Sequence, residues 1–184
     1  MNIEELFSDR AYLEKELNFF IIKKQIRNIK ENKDLAKAHL KKARHNMEFF
    51  KLNKAHPKFN DWLIVTLYYS LYHCALALIT NRNYSSKNHY ATILLLIKEY
   101  SITRNEARLL DELSIKKEDA ELYTTLKEDR HSASYATNIK ISQETIEDYE
   151  NKVLDFIKLF KKNYSTVIWI MNSSVTATIT FDHT

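Results

Sequence analysis

Groups able to do chemistry concentrate in one stretch of this chain, Lys127-Glu128-Asp129-Arg130-His131-Ser132-Ala133-Ser134-Tyr135. An arginine fork clamps phosphate, an imidazole moves protons near neutral pH, and serine and tyrosine hydroxyls donate hydrogen bonds. On a helix, His131 and Tyr135 share one face and Arg130 and Ser134 another. The same composition also suits a salt-bridged helix end, in which Glu128 and Asp129 pair with Lys127 and Arg130. A second cationic group, Lys37, Lys41 and Lys42 with Arg44 and Lys51, lies where Ala36, Leu40, Ala43, Met47 and Phe50 recur at helical spacing. Such a helix is either a solvated face or an electrostatic landing strip for RNA.

The rest of the sequence removes most other chemistries. The 184 residues include no glycine and one proline. Phosphate-cradling loops, dinucleotide turns, calcium loops and nucleophile elbows need glycine for positive φ or close backbone approach, so they are excluded. The histidines (His39, His45, His56, His73, His89, His131 and His183) form neither an H-E-x-x-H pair nor a repeated Glu-x-x-His spacing. No metal and no cofactor is expected. Cys74, the single cysteine, lies among Ala75, Leu76 and Ala77, where a small buried thiol is expected rather than a nucleophile. It also rules out an intrachain disulfide and fits a reducing, cytoplasmic setting. His73 beside it is expected to be a hydrogen-bonded interior or interface histidine.

The length suits one domain with a single core. Apolar residues at 45% and charged residues at 28% are an ordinary globular balance, and the net charge of +4 is mildly basic. The acidic, amphipathic start, Met1 to Arg10, does not read as a secretory signal. Trp62 to Thr80 carries no formal charge and approaches the length of a membrane span, but its tyrosines, His73, Thr66 and Ser70 suit a buried bundle helix better. No membrane association is expected.

The elements expected to hold these groups are mostly helices. Glu4 to Ile29 reads as one or two helices with Leu6, Leu13, Leu17, Phe20 and Ile21 inward, followed by a turn at Glu31–Asp34. Asn60 or Asp61 would cap the Trp62–Thr80 helix, and Asn81–Asn88 reads as a loop. Helices are expected at Asn88–Tyr100, Arg104–Leu113 and Lys117–Ser132. Ser142 would cap a last helix ending near Lys162, with Ile141 and Ile146 as its hydrophobic staple. Val175, Ala177, Ile179 and Phe181 alternate with threonines, which predicts a C-terminal β-hairpin or strand. The organisation expected is an N-terminal helical extension (1–31), a helical bundle (32–163) and a β-like tail (164–184).

Two segments together resemble a known family. Tyr68-Tyr69-Ser70-Leu71-Tyr72-His73-Cys74-Ala75-Leu76-Ala77-Leu78, with Ser86-Lys87-Asn88-His89 opening the next helix, look like the central helices of the HEPN superfamily. These are small helical "higher eukaryotes and prokaryotes nucleotide-binding" domains. Arg130 to Tyr135, followed by Ile141-Ser142 and the last helix, is similar to the Arg-x-x-x-x-Tyr element of a small prokaryotic branch. The likeness spans about residues 32–162. It implies an all-α fold, an up-and-down bundle of four to five main helices, here with the β-hairpin or strand appended, and commonly a homodimer. It also implies RNA or nucleotide binding, with catalytic members acting as metal-independent endoribonucleases. Many members are toxins paired with a nucleotidyltransferase antitoxin. In catalytic members an arginine stabilises the scissile phosphate and a histidine four to six residues later helps activate the ribose hydroxyl. Here Arg130 matches, but Tyr135 stands where the histidine is expected, and a tyrosine is a poor base near neutral pH. His131 is the nearby surrogate. Arg82 and His89 have the motif's spacing, although at another place in the chain.

Three functions follow as expectations. The first is a dimeric HEPN-type ribonuclease or toxin using Arg130, His131 and Tyr135. The second is a module that binds RNA, a nucleotide or a nucleotidyltransferase without catalysis, through Lys37, Lys41, Lys42, Arg82, His89 and Ser134. The third is a non-catalytic helical adaptor whose β-tail captures a partner strand.

Overall fold

The uncharged run from Trp62 to Thr80 lies within one helix, Asn60–Asn81, around which the other helices are arranged. The computed structural model describes residues 2–128 and 141–163, and among them the architecture is mostly helical with one small two-stranded antiparallel sheet. In chain order the elements are α1 (Ile3–Ser8), α2 (Arg10–Ile22), β1 (Ile26–Asn28), α3 (Lys33–Asn53), α4 (Asn60–Asn81), β2 (Tyr84–Ser86), α5 (His89–Tyr100), α6 (Arg104–Glu128) and α7 (Gln143–Asn163).

Alone, α4 is long and apolar enough to cross a membrane, but 72% of its apolar window is buried inside the protein. It packs on α3, α5, α6 and α7. Leu63, Ile64, Leu67, Leu71 and Ile79 are fully enclosed. Burial of each such side chain stabilises the fold by about 1.5–3 kcal/mol. The histidine contact His39–His73 and the bond from Ser70 Oγ to the Ala43 carbonyl (3.0 Å) show that α3 and α4 run antiparallel.

By contrast, α5 runs in the same direction as α4, since Tyr68 meets His89 while the Tyr100 hydroxyl donates to the Leu78 carbonyl (2.7 Å). The α4–α5 step is therefore a crossover rather than the expected reversal. Residues 82–88, expected to be a loop, lead the chain back and include β2. Their strand pairs with β1, matching Ile26 to Ser86, Arg27 to Ser85 and Asn28 to Tyr84. Neither strand is evident in the sequence, because three residues are too few to show alternation.

The N-terminal elements α1, α2 and β1 share the main core. Ile3, Leu6, Leu13, Leu17, Phe20 and Ile26 belong to the same buried cluster as α4. Ile21, expected inside, is exposed. Caps at several helix starts follow the sequence: Asn32 Oδ1 accepts from Leu35 N (2.8 Å) and Asn88 Oδ1 from Ala91 N (3.0 Å). At α7, Ser142 Oγ accepts from Thr145 N (3.1 Å), with Ile141 packed on the core and Ile146 buried. Asn60 does not cap α4. It is the first helical residue, and its Nδ2 instead donates to the Ile141 carbonyl (2.8 Å), joining the start of α4 to α7. The two helices expected between Arg104 and Ser132 are one, α6, through Glu128, because nothing between Leu113 and Lys117 breaks a helix. The β-like tail lies outside the described residues.

Without glycine, the left-handed turns fall to Lys24 (φ 57°), Asn83 (φ 64°) and Ser101 (φ 49°). Lys24 and Gln25 close α2 with paired bonds, Lys24 N to the Ile21 carbonyl and Gln25 N to the Phe20 carbonyl, both 2.9 Å. That is the Schellman pattern, whose left-handed residue is usually glycine. Lys24→Gly is accordingly expected to stabilise the protein by about 1 kcal/mol, the cost of placing a Cβ there. Chemical denaturation checks this, and an unchanged or lowered midpoint would contradict it.

Candidate functional site

The least buried stripe of α4 consists of Trp62, Thr66, Tyr69 and His73, three or four residues apart on one flank of an otherwise enclosed helix. Facing it on α3 are His39, Lys42, Asn46 and Phe49, with the same spacing. The antiparallel register fixed by His39–His73 sets Lys42 level with Tyr69, Asn46 with Thr66 and Phe49 with Trp62 along the two helices. A seam of polar and aromatic side chains thus runs along the α3–α4 surface.

At one end of the seam the two imidazoles meet with their Nδ1 atoms 3.1 Å apart and ring centroids 5.4 Å apart. The centroid separation exceeds the nitrogen separation by about two ring radii, so the nitrogens face each other along one line. Hence one ring carries Nδ1–H and the other a lone pair, and the two do not converge on a shared metal. Burial lowers the pKa of both. His73 falls to about 4, with the charges of His39 and Lys42 adding to burial, and the pair is therefore neutral at pH 7.

The seam continues into a cluster of rings between α4, α5 and α6. Tyr68 stacks on Tyr72 (5.5 Å, interplanar 10°), meets Tyr69 edge-on (5.1 Å) and contacts His89 Nδ1 through its hydroxyl (3.3 Å). The Lys117 ammonium sits over both Tyr68 (5.4 Å) and Tyr69 (5.7 Å). His89 is held down to about 4 by burial and then by Lys117, and its Nε2 is buried without a partner. Burial likewise raises the Tyr72 pKa. Cys74 behind this surface is fully buried and its thiol is pushed up to about 12, so it is an inert core side chain.

The other sequence candidates fare differently. Lys37, Lys41 and Lys42 are all exposed on α3. Lys37 lies 3.8 Å from Asp34, while Lys41 and Lys42 have no acidic partner among the described residues. Arg82 follows the last turn of α4, with its guanidinium over the Tyr100 ring (5.3 Å). It therefore lies at the far end of α5 from His89, about 16 Å along the helix, and the two do not form one site. Arg130, His131, Ser134 and Tyr135 lie outside the described residues. Among the described residues, no group of three or more His, Cys, Asp or Glu side chains is placed to hold a metal.

An open groove of about 560 Å³ lies between α6 and α7, lined by Glu106, Arg108, Glu112, Lys152 and Asp155 among others. Its charges are largely occupied within the protein. Arg108 pairs with Glu4, Lys152 with Asp148 (2.7 Å) and Asp155 with Lys158 (2.9 Å), while the Glu106 carboxylate accepts from the Thr103 backbone N–H (2.5 Å). It offers little uncompensated chemistry to a ligand. The α3–α4 seam, with Lys42 near neutral imidazoles and on the stripe that faces Tyr69, offers more.

No family model matches this chain, and neither the curated proteins nor the solved structures include one significantly similar to it.

The depressed histidines carry a stability signature. His73 and His89 titrate at about 4 in the fold against 6.5 in the unfolded chain. Between those values the unfolded state binds more protons, so stability is expected to fall as pH drops from about 6.5 through about 4. Thermal melts across that range check it, and a His73→Gln/His89→Gln variant is expected to show a shallower pH slope. Equal slopes in variant and parent would contradict the assignment.

Proposed function

We propose that this protein is a HEPN-like helical RNA-binding protein that works as a homodimer. The observation that carries this is the α3–α4 surface, where Lys42, without an acidic partner among the described residues, lies on the stripe that faces Tyr69 and the neutral His39–His73 pair, with Lys37 and Lys41 on the neighbouring face of α3. Cations track a phosphate backbone, while uncharged rings accept bases on their faces. The residues carrying the family likeness contribute directly, since Tyr68, Tyr69, Tyr72, His73 and His89 build the ring cluster. In this scheme α3, α4, α6 and α7 are the bundle, with α5 laid alongside α4. Its setting would be the cytoplasm, free of the membrane.

Arg130 would lie in a groove shared by two copies and steady a phosphate, with His131 and Tyr135 beside it. Metal-free strand cleavage would depend on His131 acting as base in place of the family's histidine. A nucleotidyltransferase antitoxin is the partner this reading implies. Without cleavage, the same surface would serve as a binding module.

Fluorescence anisotropy with a labelled single-stranded RNA tests the binding. Affinity is expected to fall steeply between 50 and 200 mM salt, and Lys37→Glu/Lys41→Glu/Lys42→Glu to weaken it by about 10-fold or more. Salt-insensitive binding, or none, would contradict the proposal. Incubation with RNA in EDTA beside Arg130→Ala separates enzyme from binder, because only cleavage lost in that variant supports catalysis.

A further inference from the structure

The seam does not end at its polar half. Beyond Asn46 and Thr66 it reaches Phe49 and Trp62, each 46% exposed, at the closed end of the α3–α4 hairpin. Two more apolar side chains flank them, Leu52 at 79% and Phe59 at 39% exposure. Large apolar groups gathered at one end of a helical pair mark a contact surface. Each aromatic ring here has part of its surface against the protein and part toward solvent, which suits stacking better than deep insertion.

The charges around this end set its partner. Lys58 is exposed without an acidic partner among the described residues, and its ammonium lies 4.8 Å from the Phe59 ring centre. The nearby acids are Glu48, 3.6 Å from Arg44, and the half-buried Asp61; Lys54 is engaged by Glu150 (3.1 Å). A cation against an exposed ring, Lys58 on Phe59, with Lys42 farther along the same stripe, matches a polyanion whose own flat groups can stack. Glu48 and Asp61 would lie against an anionic membrane plane, whereas a flexible strand can pass around them.

We infer that Trp62 and Phe49 form a base-stacking platform for unpaired RNA, extending the track from Lys42 along the seam to the hairpin end. This rests on the RNA-binding function proposed above, and adds that bases are held by ring contact and that the strand is single. Duplex RNA, whose bases are already stacked, would not use the platform.

The chain has two tryptophans, Trp62 and Trp169, so Trp169→Phe makes Trp62 the only indole reporter. Titration with a uridine-rich 15-mer is expected to quench Trp62 in step with anisotropy, and a duplex of the same length is expected to leave its emission unchanged. In the otherwise native chain, Trp62→Ala and Phe49→Ala are each expected to weaken single-strand binding about 5-fold or more. These positions are half exposed, and the substitutions are expected to leave thermal unfolding nearly unchanged. RNA that binds by anisotropy with Trp62 emission and both alanine variants unaffected would overturn the platform while leaving RNA binding intact. No binding of either RNA at low salt would remove the proposed function itself. A blue shift on phosphatidylglycerol vesicles without quenching by RNA would assign the patch to a lipid surface and overturn the inference.

Discussion

Burial of α4 is the constraint from which the remaining arrangement follows. Its run from Trp62 to Thr80 carries no formal charge, so the helix must be covered by protein or lipid. Here α3, α5, α6 and α7 cover it. Coverage is uneven, and the unevenness creates the surface of interest. The faces bearing Leu63, Leu67, Leu71 and Ile79 are sealed, whereas Trp62, Thr66, Tyr69 and His73 remain partly open. An unpaired buried polar group costs about 1–3 kcal/mol, and along this half-buried zone Asn46 Nδ2 carries that cost while other groups find partners. His73 finds His39, and Ser70 finds the Ala43 carbonyl. These bonds fix the register of α3 on α4, and that register sets Lys42 of α3 level with the Tyr69 ring of α4.

The absence of glycine shapes the rest of the chain. Turns that commonly use it are made by Lys24, Asn83 and Ser101 in left-handed geometry, each against a steric penalty of roughly 1–2 kcal/mol. Two of these sites flank the small sheet. Lys24 precedes β1 and Asn83 precedes β2, and the β1–β2 pairing ties residues 26–28 to the α4–α5 crossover. Leu13, Leu17 and Phe20 bury against the same core, so the N-terminal helices are integral to the body that presents the seam.

Much of the helical pattern was legible because apolar spacing and caps are local. Leu40, Ala43, Met47 and Phe50 marked the inner face of α3, and Ser142 with Ile146 marked the start of α7. Three features were not legible, for different physical reasons. Asn60 looked like a cap, but a side chain that can cap can also bridge, and the nearby Ile141 carbonyl took it. The continuity of α6 through Ser114 is hidden by a weak apolar stripe there. Its start at Arg104 is legible, and the Thr103-x-x-Glu106 capping box supports it. The seam itself depends on the register between two helices, which no single segment encodes. Once His39 and His73 are known to touch, the levels of Lys42 with Tyr69 and of Phe49 with Trp62 follow from helix geometry alone.

The account therefore rests on one surface along α3 and α4, cationic on one side and aromatic on the other. Ultraviolet crosslinking of a bound uridine-rich RNA, with the modified peptides mapped by mass spectrometry, tests it most directly. Adducts are expected on peptides carrying Tyr69, His73, Phe49 or Trp62, and to disappear when unlabelled single-stranded RNA competes. Adducts confined to the α6–α7 groove around Glu106 and Lys152, or to the exposed end of α2 near Phe19 and Ile22, would contradict the placement of function on this seam.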